Sequence, residues 1–296
     1  MAHKAGRDTH GNRYKSVDVM WKKELGIDPE IESLHRKRKN HDDSDSHREQ
    51  EKPAKDGDGG NEKMVNWYSS SRAYWATQEP TVNGMLGGLG SLSELDLETS
   101  EAFIRQVNLD CEYRNKPRWT LDKNDENTHA LDVGAGIGRI TRGLLMKLFH
   151  KVDMLESDPR YVATGREECE KEGVLDQLGE QFNIGMEQFE RQPKKYDLVW
   201  IQWCIIYCTD QDLINLLIEC SHSLKKHGLI ILKDNVILRG GFVVDRTDSS
   251  ITRNDQHMKD IFKAAGLNVI QEQVQRDFPK ELYPVKMYCL EVDHPH

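Results

Sequence analysis

The pattern of apolar and polar positions changes at about residue 64. Beyond it, apolar runs and amphipathic stretches alternate: "HALDVGA", "ITRGLLMKLF", "KVDMLES", "RYVATGREECEKEG", "QFNIGM", "YDLVWIQW", "DQDLINLLIECSHSL" and "GLIILKDN". Apolar strands of five to seven residues separated by amphipathic helices predict an α/β fold, doubly wound around a mostly parallel seven-stranded sheet with helices on both faces. A helix, "NDQHMKDIFKAAG", and two extended runs, "LNVIQEQVQRD" and "PVKMYCLEVD", follow, and the two runs predict a terminal antiparallel hairpin. Ahead of the first strand, "EKMVNWYSSSRAYWATQ" (62–78) reads as a helix with its aromatic residues on the apolar side, ending before Pro80. The glycines from Gly84 to Gly90 mark a close-packed loop, "LETSEAFIRQV" a second helix, and 113–128 a polar connection of low order. Residues 64–113 would thus form an N-terminal helical cover on a domain running from 64 to 296.

Before residue 64 little is available to bury. From about 35 to 63 the chain carries almost no apolar side chain, so ordering it would cost more than packing returns. Residues 1–63 are therefore expected to be a mostly disordered, charged extension, with one amphipathic patch at Trp21 and Leu25 suited to a short helix. "RKRK" at 36–39 fits a nuclear-import signal and fits equally a solvated charge run.

Composition narrows the partners. A net charge of −9 argues against nucleic acid, which wants a basic surface, and suits a cationic ligand or a basic peptide. No apolar run approaches the ~20 residues of a membrane span, and the first residues lack the apolar core of a secretory signal. The expectation is an intracellular protein, cytoplasmic or nuclear, and monomeric. The six cysteines form no CxxC pair; Cys204 and Cys208 are four apart with no histidine at ligand spacing, so no metal site is expected.

"HALDVGAGIGRIT" (129–141) carries candidate chemistry: a buried strand, a turn with Gly134, Gly136 and Gly138, then a helix. Alternate glycines permit a tight turn and let a ligand approach the peptide planes. A dinucleotide fingerprint would want glycine at 139, which is Arg139. Glu156, at the end of the next strand, stands about 20 residues on, where a partner for a ribose hydroxyl is expected. This is the arrangement of Rossmann-like methyltransferases that bind S-adenosylmethionine, with a nicotinamide cofactor as the weaker alternative. Ligands in such folds sit beyond the carboxyl ends of the strands, which assigns Gly134, Gly136, Arg139, Glu156, Met186, Glu187 and Gln202 to the cofactor. Met186 would pack on adenine with Glu187 near its amino group, although an ordinary core methionine reads as well there.

Two further stretches point to a substrate. In "LVWIQWC" (198–204), strand alternation sends Trp200 and Gln202 one way and Ile201 and Trp203 the other, leaving an amide among indoles in need of a polar partner. "LKDNVILRGGFVVDRTDSSITRND" (232–255) offers Asp234, Asn235, Asp245, Asp248, Ser249 and Ser250. Beside Trp203, these make an acidic, aromatic-walled pocket suited to an amine or a cationic side chain. Taken alone, "DRTDSS" reads better as a capped, solvated loop.

The segments "RAYW", "PTVNGMLGGLG", "ALDVGAGIGRIT", "DLVWIQW", "CTDQDL", "IILKDN" and "VVDRTDSS", in this order, resemble the eukaryotic protein α-N-terminal methyltransferases over about residues 64–292. The resemblance implies a class I S-adenosylmethionine-dependent enzyme that methylates the free α-amine of proteins beginning, after Met removal, with Xaa-Pro-Lys or Xaa-Pro-Arg. It implies that Gln202 faces the cofactor and that Trp203 stacks on the peptide's proline. Asn235 would bond the peptide backbone, and Asp245 and Asp248, with Ser250 in the same loop, would hold the amine and the third-position cation. Tyr74, Trp75, Leu86 and Gly87 would cover cofactor and peptide, and Tyr283 would line the peptide channel. The catalytic residues so implied are Asp248, Asn235 and Tyr207. The chain departs from the family pattern at Ile206–Tyr207, where a Gly-His pair is usual, and by one extra residue between Asn235 and Asp245. The departures keep two alternatives open: a methyltransferase of a small amine, and a cofactor-binding protein without turnover.

Overall fold

The computed structural model of the chain describes residues 4–26, 59–109 and 118–293. These fall into two units, one built from 4–26, 59–75 and 240–251, the other from 76–109, 118–239 and 252–293. In chain order the strands are β1 (Gly6–Asp8), β2 (Arg13–Tyr14), β3 (His129–Val133), β4 (Lys151–Leu155), β5 (Leu178–Phe182) and β6 (Tyr196–Gln202). They continue with β7 (Leu224–Asn235), β8 (Val243–Asp245), β9 (Ser250–Thr252), β10 (Leu267–Val274) and β11 (Val285–Val292). The longer helices are α1 (Val17–Leu25), α2 (Gly59–Ala76), α3 (Ser93–Leu109), α4 (Pro159–Lys171), α5 (Asp210–Ser223) and α6 (Asp255–Ala264).

The larger unit is a seven-stranded sheet in the order β10-β11-β7-β6-β3-β4-β5. The five strands from β7 to β5 run parallel, and β11 and β10 are antiparallel, which gives the doubly wound sheet and terminal hairpin that the apolar runs predict. β6 occupies the middle because "YDLVWIQ" can be buried at every position but Asp197. Its alternate residues feed two cores, Val199 among Val133, Leu216 and Phe262, and Trp200 among Ala130, Leu144 and Met287. The strand expected over 181–186 lies instead at β5. As the sheet edge, "LGEQF" is half polar and partly exposed, while Ile184 and Met186 belong to the following loop and turn. In the polar connection, Trp119 is buried against Phe149, with its backbone N–H and carbonyl bonded to Asn108, so 118–128 is more ordered than its composition suggests.

The smaller unit overturns part of the reading of residues 1–63. Its four strands pair in the order β2-β1-β8-β9, so a segment at the start of the chain shares a sheet with 243–252. Ser16 caps α1 by accepting the Val19 N–H, and Gly26 closes it at φ 69°. Val17, Met20, Trp21 and Leu25 recur at helical spacing and are buried with Trp67, Tyr68, Phe242 and Val244. A 23-residue polar segment gains its order from this packing, which its own composition does not reveal. The expected helix over 62–78 is α2, which starts at Gly59; residues 27–58, including "RKRK", lie outside the described residues.

One buried charge cluster ties α3 to the sheet. Asp96 on α3 has no solvent exposure; its carboxylate pairs with Lys233 of β7 at 2.5 Å and with Arg139, just after the glycine loop, at 2.8 Å. It also accepts the Gln202 amide N–H at 2.9 Å, and Lys233 donates to Ser100 one turn along α3 at 2.9 Å. Burial alone would raise the Asp96 pKa, but the two cations outweigh it and hold the carboxylate below its ordinary range. Elsewhere, burial dominates. Asp132 in β3, bonded by the Thr141 hydroxyl at 2.6 Å, is pushed up to about 7.

Asp96→Ala would strand Lys233 without its counterion, and an unfolding titration should show a loss of about 3–5 kcal/mol; a loss below about 1 kcal/mol would show that the cluster does not hold the fold. Asp132 is neutral in the native state up to about pH 7 but ionises in the unfolded chain above about 4, so its contribution to stability falls as pH rises through that window and is flat beyond it. Asp132→Asn should therefore lessen the drop in denaturation midpoint between about pH 5 and 8, and an unchanged drop would contradict a protonated Asp132.

Candidate active site

The sequence reading of the glycine turn is matched by the backbone. β3 ends at Val133, and Gly134 and Gly136 take φ of 68° and 55°, a region that favours glycine. A Cβ at Gly134 would lie 2.6 Å from Cβ of Cys204, and one at Gly136 3.0 Å from Sδ of Met85. The Gly136 N–H donates to Oε2 of Glu156 at 2.9 Å, while Oε1 accepts the Asp158 N–H at 2.9 Å. Glu156 at the end of β4 is thereby fixed to the loop, and burial raises its pKa despite these bonds. Asp158 also caps α4, accepting from Arg160 N–H.

Arg139 is buried, with its guanidinium on Asp96 and 5.5 Å above the centre of the Trp203 ring. Arg139 and Lys233 against the single carboxylate of Asp96 leave one positive charge in excess within this cluster, beside a glycine loop with an acidic acceptor at its far side. These residues fit S-adenosylmethionine. The excess cation suits its amino-acid carboxylate, the left-handed glycines allow close approach, and Glu156 is placed as a hydroxyl acceptor.

The geometry at the end of β6 differs from the alternation read in "WIQW". Trp200 and Gln202 do share a face: Trp200 Nε1 donates to Gln202 Oε1 at 3.0 Å, and Gln202 Nε2 donates to Asp96. The polar partner of that amide is therefore the Asp96 cluster, and its oxygen accepts from Trp200. Trp203 does not continue the strand. It adopts φ 53°, rare for a bulky residue, with its N–H donating to Lys233 carbonyl at 3.1 Å. The reversal brings its ring under Arg139, on the side of Gln202 and Asp96, where strict alternation would have sent it to the opposite face.

Ile206 and Tyr207 follow in a one-turn helix, Ile205–Tyr207, with Tyr207 buried. Arg253, almost without exposure, donates to the carbonyls of Ile205 (3.1 Å) and Cys208 (2.6 Å), and Asp210 holds it at 2.8 Å while also taking His257 Nε2 at 2.8 Å. Burial opposes ionisation of Asp210, but Arg253 and His257 overcome it and lower its pKa. The Tyr207 turn is thus clamped at both ends. Asn235 ends β7, half-buried, and its N–H donates to Asp234 Oδ1 at 2.7 Å. Asp234 itself is buried and pushed up to about 7 by desolvation.

Met186 begins a short turn, Met186–Gln188, and packs against the core that contains Leu155 and Cys208; Glu187 beside it is half-buried. Both lie beyond the end of β5 rather than in the strand expected to carry them. Leu86 closes the short helix Val82–Met85, half-buried, with Gly87 exposed after it, and Tyr283 is 45% exposed in the turn before β11. The remaining candidates belong to the smaller unit. Tyr74 and Trp75 meet edge to face at 5.6 Å near the end of α2. Burial first, then the charges of Asp248 and Asp245, raises the Tyr74 pKa, so both carboxylates lie within electrostatic reach of its phenol. Asp245 Oδ1 accepts the Thr247 N–H at 2.8 Å, and Ser250 is buried in β9.

Asp96, Lys233 and Arg253 were not singled out from the sequence. Lys233 had a signal: a lysine in the apolar run "GLIILKDN" must find a carboxylate, though nothing local says which.

The chain matches the family model described as AdoMet dependent proline di-methyltransferase over residues 63–291. It is 31% identical to an Arabidopsis thaliana protein named alpha N-terminal protein methyltransferase 1, over 98% of this chain and 92% of that one. It is 37% identical to a Xenopus tropicalis protein named N-terminal Xaa-Pro-Lys N-methyltransferase 1, over 77% of this chain and 97% of the frog protein. Among solved structures, a SAM-dependent methyltransferase of Leishmania major aligns with TM-score 0.74 and 33% identity, over 98% of this chain and 97% of that one. The plant and Leishmania matches thus extend into the N-terminal residues that the sequence reading had set outside the resemblance. The glycine loop tied to Glu156, the Arg139–Asp96 pair and these matches agree: the chain belongs to the family of S-adenosylmethionine-dependent protein α-N-terminal methyltransferases.

Proposed function

We propose that this protein methylates the free α-amine of proteins whose mature N-terminus reads Xaa-Pro-Lys or Xaa-Pro-Arg. The observation that carries the reading is the left-handed Trp203, which lays an aromatic plate against Arg139 beside the cofactor loop, a surface suited to a proline ring. The bound cofactor supplies an electrophilic methyl on a sulfonium. The chain's own residues then have to hold a neutral amine in line with it. An α-amine has a pKa of about 8, so roughly a tenth is neutral at pH 7 and positioning outweighs base strength. In this reading Asn235 bonds the peptide backbone, and Asp245 and Asp248 attract the amine and the third-position cation. Asp248 accepts the proton released as nitrogen gains its methyl, directly or through water. Tyr207 replaces the usual histidine, and its phenol, with a pKa near 10 when unperturbed, orients or relays a proton rather than removing one. We place the protein in the cytoplasm or nucleus, with "RKRK" as the import signal.

Mass spectrometry of the protein incubated with S-adenosylmethionine and a Ser-Pro-Lys peptide, free or N-acetylated, tests this directly. Mass should rise in methyl steps on the free peptide alone. Transfer to both would move the reaction to the lysine side chain, and transfer to neither would refute the reading. Asp248→Asn and Asn235→Ala should each lower turnover by about tenfold or more with cofactor affinity nearly unchanged, and full activity in either would remove that residue from its role.

A further inference from the structure

The acidic segment 243–250 contains a cation of its own. Arg246 follows Asp245 directly and precedes Asp248 by two residues, so an unrestrained guanidinium there would neutralise the charges that a basic peptide needs. It is restrained by the start of the chain. Nε and Nη2 donate to Asp8 Oδ2 at 3.0 and 2.9 Å, Nη2 to Glu24 Oε1 at 2.7 Å and to the Tyr14 hydroxyl oxygen at 2.6 Å. Nη1 reaches the second oxygen of Glu24 at 2.5 Å. The site is prepared for it. Asp8 is buried at the end of β1, and its carboxylate accepts Asn12 N–H (2.8 Å), Asn12 Nδ2 (2.9 Å) and Tyr14 OH (2.9 Å). The backbones are joined as well. β1 pairs in parallel with β8, Thr9 N–H donates to Val244 carbonyl at 2.9 Å, and Arg246 N–H donates to Thr9 Oγ1 at 3.0 Å. Gly6 packs on Phe242 so closely that a Cβ would lie 2.6 Å from its ring.

We infer that residues 4–26 are a positioning device for substrate recognition: Asp8, Tyr14 and Glu24 hold Arg246 in ion pairs and hydrogen bonds of its own, so that it does not compete with a cationic peptide for Asp245 and Asp248. The inference rests on the proposed role of those two carboxylates. Two acids hold the one base Arg246. Lys23 lies 5.3 Å over the Tyr14 ring. The plant and Leishmania matches cover 98% of this chain and so run through the segment.

The test compares three full-length proteins: wild type, Asp8→Asn/Glu24→Gln, and the same pair with Arg246→Gln added. With an Xaa-Pro-Lys peptide, the double variant should show KM raised about tenfold and kcat lowered as well, since Asp248 also takes the proton, with cofactor affinity changed less than about threefold. Adding Arg246→Gln should return KM to within about threefold of wild type, because the freed cation is gone while β1 still pairs with β8. General loss of structure would lower kcat and cofactor affinity together and would not be rescued by a further substitution; that pattern, or an unchanged KM in the double variant, overturns the inference. Hydrogen exchange over 240–251 gives a readout independent of catalysis. The double variant should exchange faster there than wild type and equally over 129–141, and equal exchange in both segments would overturn the restraint of Arg246. Failure of wild type to methylate the peptide would refute the proposed function instead, and is read from the wild-type reaction alone.

Discussion

The architecture of the larger unit turns on one buried carboxylate. Asp96 reaches β7 through Lys233, the glycine-loop helix through Arg139 and the end of β6 through Gln202, so three parts of the sheet's carboxyl edge are referred to a single helix position. A charge in such a place is tolerable only with its counterions at contact distance and its lone pairs used. Here both conditions hold, and the excess of one cation makes the cluster more than a brace. Its electrostatics favour an anionic group arriving beside the glycine loop, so the interaction that fastens α3 also prepares the cofactor's place.

A second constraint follows at Trp203. The strained turn there is stabilised by its backbone bond to Lys233 and by the guanidinium above its ring. The same lysine and the same arginine serve Asp96, so the ring's position and the charge cluster depend on each other. The next turn, Ile205–Tyr207, is held separately by Arg253 and Asp210. A polar residue thus anchors each bend after β6, where hydrophobic packing alone would leave the backbone free to choose among turns.

Much of this was legible from residue order, and the failures have physical reasons. The sheet, its terminal hairpin and the Gly134–Gly138 turn were written in local periodicity and glycine placement. Asp96 was not, since "SELDLETS" looks like any acidic helix face and its partner Lys233 lies 137 residues on. The alternation rule failed at Trp203 because a single left-handed residue reverses a side chain, and no composition announces it. β5 was displaced because an edge strand needs only one apolar face. Residues 4–26 looked too polar to fold, and alone they would be. Val17, Met20 and Trp21 find their apolar company in Trp67, Phe242 and Val244.

That last dependence has a consequence for synthesis. β1 leaves the ribosome long before the strand it pairs with, which begins at Val243, and the Asp8–Arg246 contact spans 238 positions. Such a contact contributes nothing until the intervening chain has emerged, and closing so long a loop is entropically expensive. A segment made before its partners is therefore secured only after them, and until Phe242 and Val244 have been made Trp21 and its neighbours wait without the surface that will cover them.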